Sequence, residues 1–293
     1  MSSLIHSLKF PLLKGVAGAL LGAVLLAAPA LAADNVKEPE APPGGFSFEG
    51  PFGTFDQASL QRGYKVYREV CANCHSMKLM YFRNLGQVNG PFYDPKYKNP
   101  NDNPVVKQIA SEFDIPDIDP DTGDDTTRKG TPADHFNSPF KNDAAAKASN
   151  GGSLPPDLSV MAKAREGGAR YIYCVLTSFV SPPAGLKVSD TQHYNPCVHG
   201  SLATQWTGDP HNVPPGGVLA MPPPLRVNGQ VTYDDGTPST IQQNAKDVAT
   251  FLAWASDPHA QERKQTGFVV LIYLLLLASV TYLAYRQVWK GKH

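Results

Sequence analysis

Cys71-Ala72-Asn73-Cys74-His75 is the stretch on which the reading of this chain turns. On a helix, two cysteines three apart lie on one face, and a histidine four after the first follows on the same side. Two thiols so placed can form thioethers with the vinyl groups of a haem while the imidazole reaches its iron. In an exported chain, C-x-x-C-H is the signature of c-type haem attachment. A zinc half-site competes with this reading but lacks a second Cys/His pair at a suitable spacing. A thioredoxin-like dithiol also competes, and it lacks the βαβ pattern that accompanies such a pair. One covalent haem c is the expected cofactor, with Cys71 and Cys74 as attachment points and His75 as an axial ligand of the iron.

The compartment follows from the two ends of the chain. At the amino terminus, Lys9 and Lys14 precede an apolar stretch over residues 15–28 and the small-residue site Ala30-Leu31-Ala32, the layout of an export signal. Near the other end, residues 267–285 form an uncharged apolar run of nineteen positions, enough to cross a hydrocarbon layer of ~30 Å. Arg263 and Lys264 flank one side of it, and Arg286, Trp289, Lys290 and Lys292 the other. The expected division is a signal peptide over 1–32, an exported haem domain over 33–261, and a membrane anchor with a short cytoplasmic tail over 262–293.

Formal charge is zero over the whole chain, but basic residues gather at the ends and leave 19 basic against 25 acidic residues between 33 and 261. An acidic middle excludes a nucleic-acid partner and favours a basic protein partner. The 27 prolines and 25 glycines indicate a loop-rich domain organised by something other than regular secondary structure, for which a bound cofactor is a candidate.

Residues 57–80 read as a helical segment running into and through the cysteine motif. Residues 89–150 are polar and turn-rich and read as a surface excursion. Pro155-Pro156-Asp157 opens a helix to about Glu166 that stops at Gly167-Gly168, residues 169–179 form another, and residues 181–236 are loop-like. Thr237-Pro238 starts the clearest helix, with Ile241, Ala245, Val248, Phe251, Leu252 and Ala255 at helical spacing and an end near Asp257-Pro258.

A six-coordinate electron carrier needs a second axial ligand, and methionine raises the reduction potential relative to histidine. Met77 and Met80 follow His75 too closely to reach the opposite haem face, and Met161 falls within an expected helix, where packing is its simpler role. Met221 sits in the proline-rich strap of residues 214–224 and is the expected ligand, with His199 and His211 as alternatives. Cys174 and Cys197 remain, an even pair in an oxidising compartment, and read as a disulfide or as two buried thiols. Glu112, Asp114, Asp117, Asp119, Asp121, Asp124 and Asp125 form an acidic run without a base until Arg128. It reads as a docking surface for a basic partner or as a solvated loop.

In chain order, Cys71 to Ser76, Leu154-Pro155-Pro156-Asp157-Leu158-Ser159, the Met221 loop, Asp235-Gly236-Thr237-Pro238, Lys246-Asp247-Val248 and the carboxy-terminal anchor resemble the cytochrome c1 family of the bacterial bc1 complex. The resemblance covers nearly the whole mature chain and is weakest over residues 89–150. It implies a mainly α, loop-rich, class I cytochrome c-like haem domain with a single C-terminal transmembrane helix. It implies cytochrome b and Rieske iron-sulfur subunits as neighbours, and a soluble basic cytochrome c as the acceptor of one electron at a time. The location implied is the bacterial inner membrane, with the haem domain in the periplasm. By the same resemblance Arg165, Tyr171 and Asn150 fall at the haem propionates, although Arg165 could instead complement a helix end and Tyr171 simply pack. The Cys174 and Cys197 pair resembles the bacterial form of the family. A monohaem subunit of a terminal oxidase would share signal, haem motif and anchor. A haem enzyme or gas sensor would differ in leaving the iron open.

Overall fold

In the computed structural model, which describes residues 37–291, the Asp56 carboxylate opens helix α1 (Gln57–Glu69) by accepting from the backbone N–H of Ser59 at 2.9 Å. The expected signal at 1–32 lies outside the described residues, as do the last two residues of the tail. Leu60, Gly63, Tyr64, Val66 and Tyr67 form the buried stripe of α1, spaced as a one-sided helix requires. The helix ends at Glu69, well short of Met80, and the motif folds into a separate 3₁₀ turn over Cys71–Asn73.

Ahead of the chain's carboxy-terminal portion come α2 (Pro104–Ser111), an antiparallel hairpin of β1 (Asp114–Ile118) and β2 (Asp125–Lys129), and α3 (Asp143–Ser149). Residues 89–150 are therefore more than a surface excursion. Val106, Ile109, Ala110 and Phe136 are buried in the main core, which draws this segment inward. Next are α4 (Met161–Ala164), α5 (Gly168–Thr177), and a short antiparallel pair, β3 (His193–Asn195) with β4 (Gly217–Leu219). The helix expected from Pro155 begins only at Met161, because the backbone and side chains of residues 156–159 bond across to residues 75–79 instead.

Helix α6 (Ile241–Ser256) is capped by Thr240, whose hydroxyl accepts from Gln243 N at 3.1 Å, so it starts a turn later than Thr237-Pro238 suggests. It is buried nearly all round, and α1, α4 and α5 pack about it. Phe251 and Trp254 are fully buried, and a phenylalanine so placed contributes ~1.5–3 kcal/mol. The crossing of α1 over α6 is close because position 63 is glycine: a Cβ there would run into the Asp247 carbonyl.

Helix α7 (Ala260–Trp289) follows after a break at Asp257. Its 30 residues hold a window of mean hydropathy 2.3, with none of that window buried, as a single-pass membrane helix requires. The break is braced: Asp257 accepts from Arg263 Nη1 at 2.8 Å and pairs with Lys163 Nζ at 3.0 Å. Domain and anchor thus meet at an ion-paired joint.

Candidate haem site

Cys74 N and His75 N both donate to the Cys71 carbonyl, at 3.1 and 2.9 Å, and this winds the motif into one tight turn. Cys71 is half-buried and Cys74 exposed, and both thiols are free. Burial, with Cys74 beside it, pushes the Cys71 thiol up to about 12, so it is protonated at neutral pH. Among the described residues no group of three or more His, Cys, Asp or Glu side chains gathers as a metal cage. The lack of a third and fourth ligand weighs against the zinc reading.

His75 is oriented by one bond. Its Nδ1 lies 2.8 Å from the Pro156 carbonyl, which can only accept, so Nδ1 carries the proton and Nε2 keeps its lone pair. Burial lowers the His75 pKa, with the Pro156 carbonyl and Asp157 opposing, and the ring is neutral at neutral pH. A neutral imidazole fixed through its other nitrogen is the form in which histidine binds iron.

The segment that supplies Pro156 is laced to the motif. Asp157 Oδ2 accepts from Ser76 Oγ and Lys78 N, both at 2.8 Å, while Leu158 N donates to the Ser76 carbonyl at 2.8 Å and Leu79 N to Ser159 Oγ at 3.1 Å. Burial raises the Asp157 carboxyl, but the Lys78, Ser159 and Ser76 donors outweigh it and hold it below its usual value. Sequence reasoning assigned no role to Ser76, Asp157 or Ser159. The available signal was Pro155-Pro156, which lacks two N–H groups and leaves its carbonyls for another segment.

The apolar interior near the site is divided. One cluster contains the buried faces of α1 and α6 and touches Cys71 and Ala72; Met77 and Met80 are buried in it and Met161 packs against it. A second contains Cys174, Val175, Cys197 and Val198, with Tyr171 and Met221 packed against it. Helix α5 spans both, turning Ala169, Ile172 and Tyr173 to the first and Cys174 and Val175 to the second. Of the four methionines among the described residues, Met221 alone lies on the second cluster. Its strap enters β4 through Gly216, where φ is +93° and a Cβ would strike Pro196 and the Asn195 carbonyl, and Met221 follows two residues after the strand. Beyond Met221, Gln230 Nε2 donates to the Pro224 carbonyl at 2.9 Å and Arg226 Nε to the Pro223 carbonyl at 3.3 Å, fixing Pro223 and Pro224.

The disulfide between Cys174 and Cys197 is formed, with Cα atoms 5.9 Å apart and a sequence separation of 23. It joins α5 to the loop after β3 and so backs the Met221 strap. Replacing both cysteines by serine is expected to cost ~3–4 kcal/mol. The denaturant midpoint with and without reductant checks this: the parent should fall to the variant's value on reduction, and the variant should not move.

Tyr171 and Arg165 come together. Burial raises the Tyr171 pKa and the Arg165 guanidinium opposes it. Asn150 ends α3 and gives its Nδ2 to the Ala146 carbonyl at 2.7 Å, tied to its own helix. His199 is exposed and stacks on Tyr171 at 5.7 Å between ring centroids, and His211 lies exposed on a 3₁₀ turn.

The acidic run occupies the hairpin and its approach, and the structure pairs part of it. Glu112 meets Arg68, Asp114 meets Lys129 at 2.8 Å, and Asp117 meets Arg128 at 3.0 Å. Asp119 shapes the tip by accepting from Asp121 N at 2.8 Å and Thr122 N at 3.2 Å. Asp121, Asp124 and Asp125 are exposed, with no ion pair among the described residues.

The residues present fit a haem. Two free thiols and an imidazole with its lone pair available share one turn, a thioether stands on a separate apolar cluster, and Leu154 and Val160 leave apolar surface exposed on the segment that holds His75. Comparison with known proteins agrees. A family model described as the Cytochrome C1 family matches residues 46–292. A protein named cytochrome b/c1 from Bradyrhizobium diazoefficiens is 39% identical over 95% of this chain, which spans only 41% of that protein's length. Cytochrome c1 of Rhodospirillum rubrum is 40% identical over 85% of this chain and 87% of its own. The mitochondrial cytochrome c1 haem protein of Saccharomyces cerevisiae is 39% identical over 86% and 72% respectively. A chain matched by that model over most of its length, with the motif, the disulfide and the apolar carboxy-terminal helix in place, belongs to the cytochrome c1 family, the electron-transfer subunits of the bc1 complex.

Proposed function

We propose that this chain holds one haem c through Cys71 and Cys74, with His75 and Met221 as axial ligands, and relays single electrons from a Rieske iron-sulfur protein to a soluble cytochrome c. The observation that carries the reading is the His75 imidazole, neutral and pinned by the Pro156 carbonyl so that Nε2 is presented from the two-thiol turn. The haem supplies an iron that changes by one charge without bond making or breaking. Cys71 and Cys74 tether it and His75 orients against it. The strap, braced at Pro223 and Pro224, would hold the Met221 thioether in place with little freedom to relax. Arg165 and Tyr171 supply a guanidinium and a phenol for the propionates. The Asn150 amide nitrogen is occupied by Ala146, so its part would come through its oxygen.

In this reading residues 1–32 direct export, 33–261 form the periplasmic haem domain, and 262–293 anchor it to the bacterial inner membrane beside cytochrome b, with the tail in the cytoplasm. Glu112, Asp114 and Asp117 are neutralised by their partners, so the field that steers a basic cytochrome c comes from Asp119, Asp121, Asp124 and Asp125 at the hairpin tip. Converting Asp119, Asp121 and Asp124 to asparagine should slow electron transfer to a basic cytochrome c at low ionic strength by roughly 3- to 10-fold. The difference should close as salt shortens the Debye length below ~10 Å. Asp119→Asn keeps a side-chain oxygen to accept the two turn bonds, so the tip holds its shape. Stopped-flow mixing of the reduced protein with its acceptor across a salt series reads this directly. Equal rates at low salt would leave the hairpin as solvated surface, and no transfer from the parent protein would sink the relay itself.

A further inference from the structure

Residues 46–55 make a turn that lies against the first turns of α7. Glu49 N donates to the Phe46 carbonyl at 3.2 Å and Thr54 N to the Ser47 carbonyl at 3.0 Å, closing the turn on itself. Lys264 Nζ then staples it to α7 by donating to the Phe48 carbonyl at 2.6 Å and the Gly53 carbonyl at 3.3 Å. At the apex Phe52 is 75% exposed, and its ring meets that of Phe268 edge-on at 5.6 Å between centroids. Phe268 is the second residue of the uncharged run, about 6 Å along the helix from Lys264. An aromatic ring beside the first apolar turn of a membrane-crossing helix stands at the depth of the bilayer interface, where such rings are favoured.

The charges around the turn suit that depth. Glu49, the one acid in it, is neutralised by a two-point bond to Arg170 at 2.7 and 2.9 Å. No carboxylate pairs with Lys264 among the described residues, so one positive charge faces the level of the lipid phosphates. Beneath the turn a cavity of about 210 Å³ opens between Phe48, Phe55 and Ala253, with Lys264 and the paired Lys163 and Asp257 also lining it.

We propose that this turn is a second membrane contact: Phe52 inserts into the lipid interface beside Phe268, and the Lys264 staple makes turn and anchor one unit that sets how the exported domain sits on the bilayer. The inference rests on α7 crossing a membrane and is independent of the haem. Phe52 makes no buried contact, so substitution there leaves the fold intact. The test places a photoreactive benzoylphenylalanine separately at Phe52, at Leu275 in the middle of the anchor, and at Thr122 on the hairpin tip, in the full chain in its native membranes. After irradiation, adducts are identified by mass spectrometry. The expected result is phospholipid adducts from positions 52 and 275 and none from 122. Lipid adducts from 275 alone overturn the second contact while leaving the anchor in place. An adduct from 52 to another protein subunit overturns it in favour of a protein interface. Absence of lipid adducts at both 52 and 275 removes the anchor reading itself.

Discussion

Replacing Met221 with leucine is expected to leave the haem attached and to lower its reduction potential by on the order of a few hundred mV, within the ~0.8 V that axial ligation spans. Leucine nearly conserves the volume of methionine, so the cluster of Tyr171, Cys174, Val175 and Cys197 should stay packed, with a stability change below ~1.5 kcal/mol. What is lost is the thioether, and with it the bond that, in the proposed ligand set, would close the iron to small ligands. Redox titration and carbon monoxide binding to the reduced protein read the two consequences separately. Met161→Leu is the control: that side chain packs against the main core with Met77 and Met80 and should move neither reading. An unchanged potential in Met221→Leu would remove this residue from the iron, and the exposed His199, stacked on Tyr171, would be the next to replace.

Removing the Asp247 carboxylate is expected to destabilise the domain ahead of α7 by ~3–5 kcal/mol. Asp247 is fully buried on α6, and Arg62 of α1 grips it with Nε to Oδ2 at 2.8 Å and Nη2 to Oδ1 at 3.2 Å. Gln243 Nε2 adds a bond to Oδ2 at 2.9 Å, and Arg62 Nη1 reaches Asp235 Oδ2 at 2.6 Å. In Asp247→Ala the guanidinium would stay largely out of water with its main partner gone, and the thermal midpoint should fall by on the order of 10 °C. The double variant Arg62→Met with Asp247→Leu should recover most of that, because no charge is left stranded. A small loss in the single variant, or no recovery in the double, would show that packing rather than charge joins the two helices.

The same region carries an acid dependence. The Thr237 backbone N–H and then Arg62 hold the Asp235 carboxyl at about 2. At the joint before α7, the Arg263 hydrogen bond, with help from Lys163, holds Asp257 at about 2. A carboxyl depressed on folding stabilises fully above its unfolded value of ~3.9, and that contribution is lost as pH falls through the folded value. Denaturation midpoints should therefore be level above about pH 5 and drop steeply below about pH 4.

The sequence by itself determined the chemistry. Cys71, Cys74 and His75 are adjacent, and local geometry alone puts two thiols and an imidazole on one turn. Nineteen uncharged residues before a basic tail can form a membrane helix and little else, because an apolar helix satisfies its own backbone in lipid. Both readings need only local or compositional physics. So does the even pair of leftover cysteines, whose pairing the structure bears out. Tertiary structure decided where chain segments far apart in sequence meet. Pro155-Pro156-Asp157 looks like a helix start, yet its carbonyl and carboxylate are used by His75, Ser76 and Lys78, about 80 residues earlier. The acidic run looks uniformly free until the hairpin register sets Asp114 opposite Lys129. Residues 89–150 look like surface, but Val106, Ile109 and Phe136 are drawn into a core whose other half comes from α1 and α6. Asp247 reads as one more acid on an amphipathic helix, and only the crossing at Gly63 buries it against Arg62. In each case the partner is distant in sequence, and a long-range contact leaves no periodic trace in either segment, so only the folded chain could show it.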